Sequence, residues 1–175
     1  MSTESTRAII ETYLAKTRAR DLDGAVALFA EDVDWDAPAS GATPWSGRRS
    51  SRAEVAEFFH LLHQYLATDE FTVTHTVVEG DDGVIIGHLT DTVKATGAKL
   101  HTPFAAHVTV QGDHISRYRL FEDTHALAKA LDGVPTPAAD QQTAAPAAPT
   151  PAATSVPASA SASGSGSTTD GAPTG

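Results

Sequence analysis

Two aspartates flank a tryptophan early in the chain, and this triplet is the first place where acid–base chemistry could arise. Asp34 and Asp36 lie on either side of Trp35, in an Asp-, Pro- and Gly-rich segment that predicts a loop over residues 32–47 at the mouth of a pocket. A carboxylate held against an indole ring loses hydration, which raises its pKa and makes it a usable base near neutral pH. Asp36 is the favoured candidate base. The alternative is that both acids are solvated turn residues that accept backbone N–H bonds.

Three further side chains are candidates for catalysis. His107 titrates in the range that suits proton transfer, and its strand is expected to border the cavity; the alternative is a half-buried histidine bonded across the sheet. Tyr13 lies on the apolar face of the first helix, either as a hydrogen-bond donor to a substrate or as an ordinary core residue. Asp123 closes the last strand, where capping the following helix is the simpler role.

Several aromatic side chains could line an apolar cavity, where rings supply contact area and polar tips supply hydrogen bonds. The candidates for substrate binding are Trp35, Trp45, Phe58, Phe59, Phe104 and Tyr118. Eight histidines invite a metal interpretation, but no HExxH motif, carboxylate cluster or cysteine accompanies them. Motifs for nucleotide binding and for acyl-serine chemistry are also missing from the sequence. We therefore expect neither a metal nor a cofactor.

The composition limits the possible partners. The 175-residue chain carries 12 Lys and Arg against 22 Asp and Glu, and it contains no cysteine. Duplex nucleic acid and anionic membranes both need clustered basic side chains, so we expect neither as a partner. The N-terminus has charged residues where a signal peptide would be apolar, which predicts a cytoplasmic protein. The acidic balance favours an uncharged, apolar small ligand.

A change of composition divides the chain near residue 131. Residues 132–175 contain no Lys, Arg, His, Leu, Ile or aromatic residue and are rich in Ala, Pro, Ser and Thr. Such a segment cannot bury enough apolar surface to offset its chain entropy. We therefore expect one acidic domain, residues 1–131, followed by a disordered tail over residues 132–175.

The spacing of apolar residues predicts three helices followed by four strands and a last helix. Helical spacing occurs in residues 5–20 and after Asp23, which can cap the second helix. Ser50 or Ser51 can cap the third helix, with Glu54 placed to complete a capping box. The four antiparallel strands and the last helix are predicted at residues 71–77, 84–95, 99–111, 114–122 and 125–131. Helices kept apart from an antiparallel sheet make an α+β fold.

Three separated stretches resemble one known superfamily. They are IIETYLAKTRARDLDGAVALFAEDVDWDAP, PWSGRRSSRAEVAEFF and TPFAAHVTVQGDHISRYRLFEDTHAL. They are similar to segments of ketosteroid-isomerase-like and SnoaL-like proteins, which belong to the nuclear transport factor 2-like superfamily. The resemblance covers residues 7–131 and implies a cone-shaped α+β barrel, in which three N-terminal helices close a curved antiparallel sheet around a pocket. It also implies a homodimer.

The resemblance transfers only part of the family's catalytic sets to this chain. In the steroid isomerases a first-helix tyrosine donates to the developing enolate, and Tyr13 stands at that position. Their general base is an aspartate directly before a proline, where this chain has Ala37 with Asp36 beside it. Their second donor, a protonated aspartate on the penultimate strand, falls near Ala106. Polyketide cyclases place a histidine at that same position, so a one-residue shift in the alignment would make His107 its match.

Two other family positions also differ. The aspartate that the cyclases carry on the last strand falls at Leu120. The epoxide hydrolases have an arginine two residues before an aspartate, where this chain has Leu89 before Asp91.

The sequence therefore supports two functional hypotheses. The first is a cofactor-independent enzyme that isomerises, cyclises or dehydrates an apolar, carbonyl-bearing substrate such as a polyketide. The second is a non-catalytic module of the same fold, which binds a small ligand or forms a dimer interface. The apolar residues at catalytic positions of the family favour the second, and the candidate donor and bases favour the first.

Overall fold

The computed structural model describes residues 2–38 and 43–134, which form four helices and six strands. The helices are α1 (Thr3–Arg18), α2 (Leu22–Val26), α3 (Arg52–Tyr65) and α4 (Thr124–Ala130). The strands are β1 (Phe29–Ala37), β2 (Gly47–Ser51), β3 (Leu66–Glu79), β4 (Asp82–Val93), β5 (Lys99–Gln111) and β6 (His114–Glu122). The predicted α+β class is confirmed.

All six strands form one curved, unclosed sheet in the order β2-β1-β6-β5-β4-β3. Neighbouring strands are antiparallel except β1 and β6, which pair in parallel, with Trp35 opposite Tyr118. The long strands β4 and β5 pair without a register shift from Asp82–Thr109 to Thr92–Lys99. Side chains alternate between the two faces, so each strand sends every second residue toward the helices.

The prediction of a loop over residues 32–47 is wrong for its first part, because β1 continues to Ala37. Asp34 and Asp36 are therefore strand residues rather than loop residues. The two aspartates give the segment the composition of a turn. The buried residues Val33, Trp35 and Ala37 nevertheless alternate with them, as in a strand. The predicted count of four strands misses β1 for this reason, and it also misses β2, which begins where the predicted loop ends. Residues 39–42 of the predicted loop lie outside the described residues.

Two of the three helix caps predicted from the sequence are confirmed. Ser51 caps α3, and its side chain and Glu54 form the predicted capping box with each other's backbone. Asp123 caps α4, where its carboxylate accepts from the Ala126 N–H at 2.9 Å. In the second helix the cap is Asp21 rather than Asp23, because the Asp21 side chain accepts from the Gly24 N–H.

The core lies between the helices and the concave face of the sheet. The large side chains that are almost fully buried include Trp35, Phe29, Ile10, Ile85, Ile115 and Leu127. Ring contacts connect α1, β1 and β6: Phe29 meets Tyr13 at 5.6 Å and Trp35 at 5.5 Å between centroids. This aromatic cluster holds the first helix and the sheet at a defined separation, which leaves space for a cavity beside it.

The predicted tail lies almost entirely outside the described residues. Of the predicted tail, only residues 132–134 belong to the described residues, so the prediction of disorder falls outside them. Among the described residues, no helix combines the length and the apolar character needed to cross a membrane.

Candidate functional site

A cavity of about 300 Å³ lies between helices α1 and α3 and the concave face of the sheet. All six aromatic residues that the sequence suggests for substrate binding line its wall: Trp35, Trp45, Phe58, Phe59, Phe104 and Tyr118. Leucines from α1, α3, β4, β5 and β6 complete the lining, so most of the surface offered to a ligand is apolar. A concave apolar site with a few polar groups is the usual form of a small-molecule binding site.

Four carboxyl groups line this cavity, and in two of them, Glu122 and Asp91, burial raises the pKa. Glu122, the last residue of β6, lies opposite Phe104, and burial together with the nearby Asp91 raises the pKa of Glu122 to about 7. Asp91 on β4 is 4% exposed, and burial also raises its pKa, which a hydrogen bond with the Thr68 side chain opposes. Two like charges in one apolar space disfavour each other. Near neutral pH, Glu122 is therefore protonated in part of the molecules and ionised in the rest.

A pair of hydrogen-bonded tyrosines, Tyr13 on α1 and Tyr118 on β6, adds further polar groups to the wall. Burial raises the pKa of Tyr13 on α1, while hydrogen bonds from the side chains of Tyr118 and Thr17 act in the opposite direction. The pKa of Tyr118 is well above its usual value, because its ring is buried and its hydroxyl bonds to Tyr13. Both hydroxyls are therefore neutral at physiological pH. Because the single O–H of Tyr118 donates to Tyr13, the Tyr13 hydroxyl is the one that can donate to a ligand oxygen.

Residues at the end of α1 and at the start of β3 also line the cavity. Arg20 lies between α1 and α2 with φ at 58°, and its guanidinium donates to the Thr68 carbonyl at 3.0 Å. His63, near the end of α3, also lines the cavity. Burial lowers its pKa, and the positive charges of Lys94 and Arg20 lower it further. A neutral imidazole at this position can carry protons between the cavity and water.

Asp36, the favoured candidate base, does not line the cavity. It lies on the outer face of β1, where Arg119 donates to its carboxylate at 2.8 Å. The same guanidinium also bonds Asp34 at 2.8 Å, and Arg117 adds a contact with Asp34 at 3.1 Å. The expectation that these aspartates lie at the pocket mouth is therefore wrong. Trp35, between them, points inward, since alternate residues of a strand point to opposite faces.

His107 and Asp123 also lie away from the cavity. The inward position on β5 belongs to Ala106, and His107 on the outer face contacts Asp82 at 3.0 Å between Nε2 and Oδ1. Asp82 also accepts from Thr109 at 2.6 Å. Asp123 is exposed and caps α4, which is the simpler of the two roles that its sequence position allows. Of the four candidate catalytic residues, only Tyr13 meets the cavity.

The sequence reasoning missed Glu122 as a candidate altogether, and it noted Asp91 only as an incomplete match to the epoxide hydrolases. A signal for both existed. On β6 the inward residues Tyr118 and Leu120 are followed by the inward acid Glu122. On β4 the acid Asp91 lies between the inward residues Leu89 and Val93. A charged residue on the apolar face of a strand is unusual, and it is often functional.

This arrangement can be compared with known proteins. Residues 10–118 of the chain match the SnoaL-like domain. The chain belongs to the SnoaL-like domain family. No curated protein matches this SnoaL-like chain significantly. Within the described ranges, no group of three or more His, Asp or Glu side chains is placed to hold a metal ion.

Solved structures share the fold of this SnoaL-like domain. An NTF2-like protein from Burkholderia xenovorans LB400 is 25% identical, with a TM-score of 0.67 over 74% of this chain and 98% of that one. An inferred isomerase from Rhodopseudomonas palustris is 15% identical, with a TM-score of 0.63 over 74% and 96% of the two chains. An inferred SnoaL-like polyketide cyclase from Mesorhizobium loti is 17% identical, with a TM-score of 0.57 over 66% and 97%. The likeness confirms the predicted cone-shaped α+β fold.

Proposed function

We propose that this SnoaL-like domain is a cofactor-independent enzyme that performs acid–base chemistry on an apolar, carbonyl-bearing small molecule such as a polyketide. The observation that carries the proposal is the position of the Glu122 carboxyl group in an apolar cavity beside the buried Asp91, where burial and the charge of Asp91 raise its pKa to about 7. A group whose pKa is close to the working pH can both accept and donate a proton efficiently. Isomerisation, aldol-type cyclisation and dehydration all use such transfers next to a carbonyl.

The residues around the cavity suggest a division of roles. The Glu122 carboxylate takes a proton from the carbon next to the substrate carbonyl, and the electron pair of the broken C–H bond moves onto the carbonyl oxygen. Tyr13 donates a hydrogen bond to the resulting enolate oxygen, and the hydrogen bond from Tyr118 strengthens Tyr13 as a donor. Protonated Glu122 then returns the proton to another substrate atom. Asp91 keeps the pKa of Glu122 high.

The structural relatives agree with this class of reaction. Among them are an inferred isomerase and an inferred SnoaL-like polyketide cyclase. Because these relatives are less than 20% identical to this chain, they support the fold, and the activity rests on the cavity residues.

The pH dependence of proton abstraction tests the proposal. The probe is 5-nitrobenzisoxazole, in which a carboxylate takes the carbon-bound proton while the ring N–O bond breaks to give a nitrile and a phenolate. Because the ionised form of Glu122 is the base, we expect the rate to rise with pH through a midpoint of about 7. The coloured phenolate is followed by absorbance. A rate no higher than that of acetate at equal concentration would reject catalysis and leave the cavity as a ligand-binding module.

The position of His107 leads to a second prediction. Because His107 lies on the outer face of β5 and bonds Asp82, we expect His107→Ala to leave the rate and the pH midpoint with 5-nitrobenzisoxazole unchanged. The variant is compared with the wild-type protein in the same absorbance assay over the same pH range. A displaced midpoint would mean that His107, rather than Glu122, contributes the titrating group.

A further inference from the structure

Two polar side-chain atoms in the described part of the chain are buried without a hydrogen-bond partner, namely Trp35 Nε1 and Asp91 Oδ1. Trp35 is 1% exposed and Asp91 is 4% exposed, and both residues line the same cavity. Buried polar groups without partners are rare because each one loses its bonds to water and gains none in return. One atom is a donor and the other belongs to a carboxyl group. Their occurrence together in one cavity points to a ligand that bonds to both.

We propose that Trp35 is a specificity-determining residue, whose indole N–H selects ligands with a neutral acceptor oxygen such as a carbonyl. The indole nitrogen only donates, so its partner has to be an acceptor. We assign a neutral acceptor because the desolvated Asp91 and Glu122 disfavour an anion, and the two arginines that line the cavity, Arg18 and Arg20, lie at the end of α1 and just after it. A hydroxyl elsewhere on the ligand donates to Asp91. The inference rests on the proposed function only in placing the ligand in the same cavity.

The indole ring of Trp35 is held in one orientation by its neighbours. Its plane stacks on Tyr118 with 4.3 Å between the centroids and an angle of 10°. Phe58 packs against it at 4.8 Å, and Phe59 and Phe29 meet it with their edges at 6.0 and 5.5 Å. A donor fixed in this way loses little entropy on binding, and it discriminates strongly against a ligand that offers it no acceptor.

The two unpartnered atoms lie in different parts of the cavity. Trp35 on β1 is opposite Tyr118 on β6, whereas Asp91 on β4 is opposite Thr68 on β3 and Leu100 on β5. A ligand that reaches both is therefore elongated, with its acceptor and its hydroxyl at opposite ends. Both residues line the cavity, but these two atoms are themselves buried, so a ligand reaches them through small side-chain shifts of the kind that commonly accompany binding, with the indole ring kept in its stack.

Two naphthols that differ only in the acceptor oxygen test the inference. The probes are 6-acetyl-2-naphthol and 6-ethyl-2-naphthol, which share the ring system and the hydroxyl. We expect the wild-type protein to bind the acetyl probe about tenfold more tightly. Trp35→Phe, which keeps a ring but removes the N–H, should reduce this preference to about twofold or less. Affinity for the ethyl probe, measured by titration calorimetry, should remain close to the wild-type value and so reports that the cavity is intact.

A second measurement uses the wild-type protein alone. With ¹⁵N-labelled tryptophan, the chain gives one indole signal from Trp35 and one from Trp45, which also lines the cavity and reports the changes that are common to both probes. The Trp35 N–H should shift downfield with the acetyl probe and not with the ethyl probe. This spectrum decides the question even if Trp35→Phe does not fold.

Several results would overturn the inference. In the binding measurements, the wild-type protein would bind both naphthols equally or bind neither, or Trp35→Phe would keep the preference for the acetyl probe. In the spectrum, the indole signal of Trp35 would respond equally to both probes. Because binding is measured without turnover, these results are independent of the assay with 5-nitrobenzisoxazole. A chain that prefers the acetyl probe but shows no turnover would reject the proposed enzyme and retain the role of Trp35.

Discussion

Glu122→Gln is expected to lower the turnover of 5-nitrobenzisoxazole by a factor of about 100 or more, and at pH 8 to make the fold more stable. The loss of turnover follows because an amide cannot accept the proton. The gain in stability follows because burial raises the pKa of Glu122 from 4.5 to about 7. In the unfolded chain the group ionises at the lower pH, so between these two values the folded protein binds more protons. Stability therefore falls as the pH rises through this window.

The size of the gain in stability follows from the same shift in the pKa of Glu122. At pH 8 the wild-type protein has lost the full contribution of the protonated carboxyl, and Glu122→Gln should unfold with a free energy about 1–3 kcal/mol higher. At pH 4 the carboxyl is protonated in both states, so the difference should disappear. Urea unfolding at the two pH values measures this effect. Glu79→Gln, which changes an exposed carboxyl at the end of β3, is the matched control and should alter neither stability nor turnover.

An unchanged stability of Glu122→Gln at pH 8 would contradict the raised pKa. Retained turnover in the same variant would contradict the assignment of Glu122 as the base. A residue with a merely structural role would lose stability on substitution, so the combination of lost turnover and gained stability is specific to a base held in an apolar site.

Phe29→Ala is expected to have the largest effect on stability, a loss of about 3–5 kcal/mol in the free energy of unfolding. Phe29 is completely buried, and its ring contacts Tyr13, Trp35 and Tyr118 at centroid distances of 5.6, 5.5 and 6.1 Å. Removing the ring leaves a space that these neighbours cannot fill without moving from the wall of the cavity.

Phe121→Ala is the matched control for this prediction. Phe121 is also an aromatic residue of the sheet, but it lies on the outer face and is 58% exposed. Its replacement should therefore cost less than about 1 kcal/mol. Urea unfolding of the two variants compares the same chemical change in a buried and an exposed position. Equal losses would mean that the aromatic cluster around Phe29 does not carry the stability of the core.

Much of the fold was predictable from local patterns. The alternation of apolar and polar residues predicts β5 and β6 with the bounds that the structure has, Lys99–Gln111 and His114–Glu122. The capping box at Ser51 and Glu54 was also predictable, because it depends on residues only three apart. The aromatic wall of the cavity followed from residue type, since large rings in such a fold have few places to lie other than the core.

The charged residues of the site were less predictable, because their environment depends on distant segments. Asp36 and Glu122 are both acids within alternating strands, and neither sequence neighbourhood reveals which one is desolvated. Asp36 meets Arg119, which is 83 positions away in the chain, and this ion pair keeps it on the outer face. Glu122 lies opposite Phe104 and near Asp91 in an apolar space.

Residue types and their short-range spacing thus determined the four helices, four of the six strands, the α+β class and the aromatic lining, because these depend on propensities and periodicities within a few positions. Only the packed chain decided that β1 pairs in parallel with β6, which turns Trp35 inward and Asp34 and Asp36 outward. It also decided that Asp91 and Glu122 share one apolar cavity. The physical reason is that strand pairing and desolvation arise between residues far apart in sequence, and a pKa changes only where those residues meet.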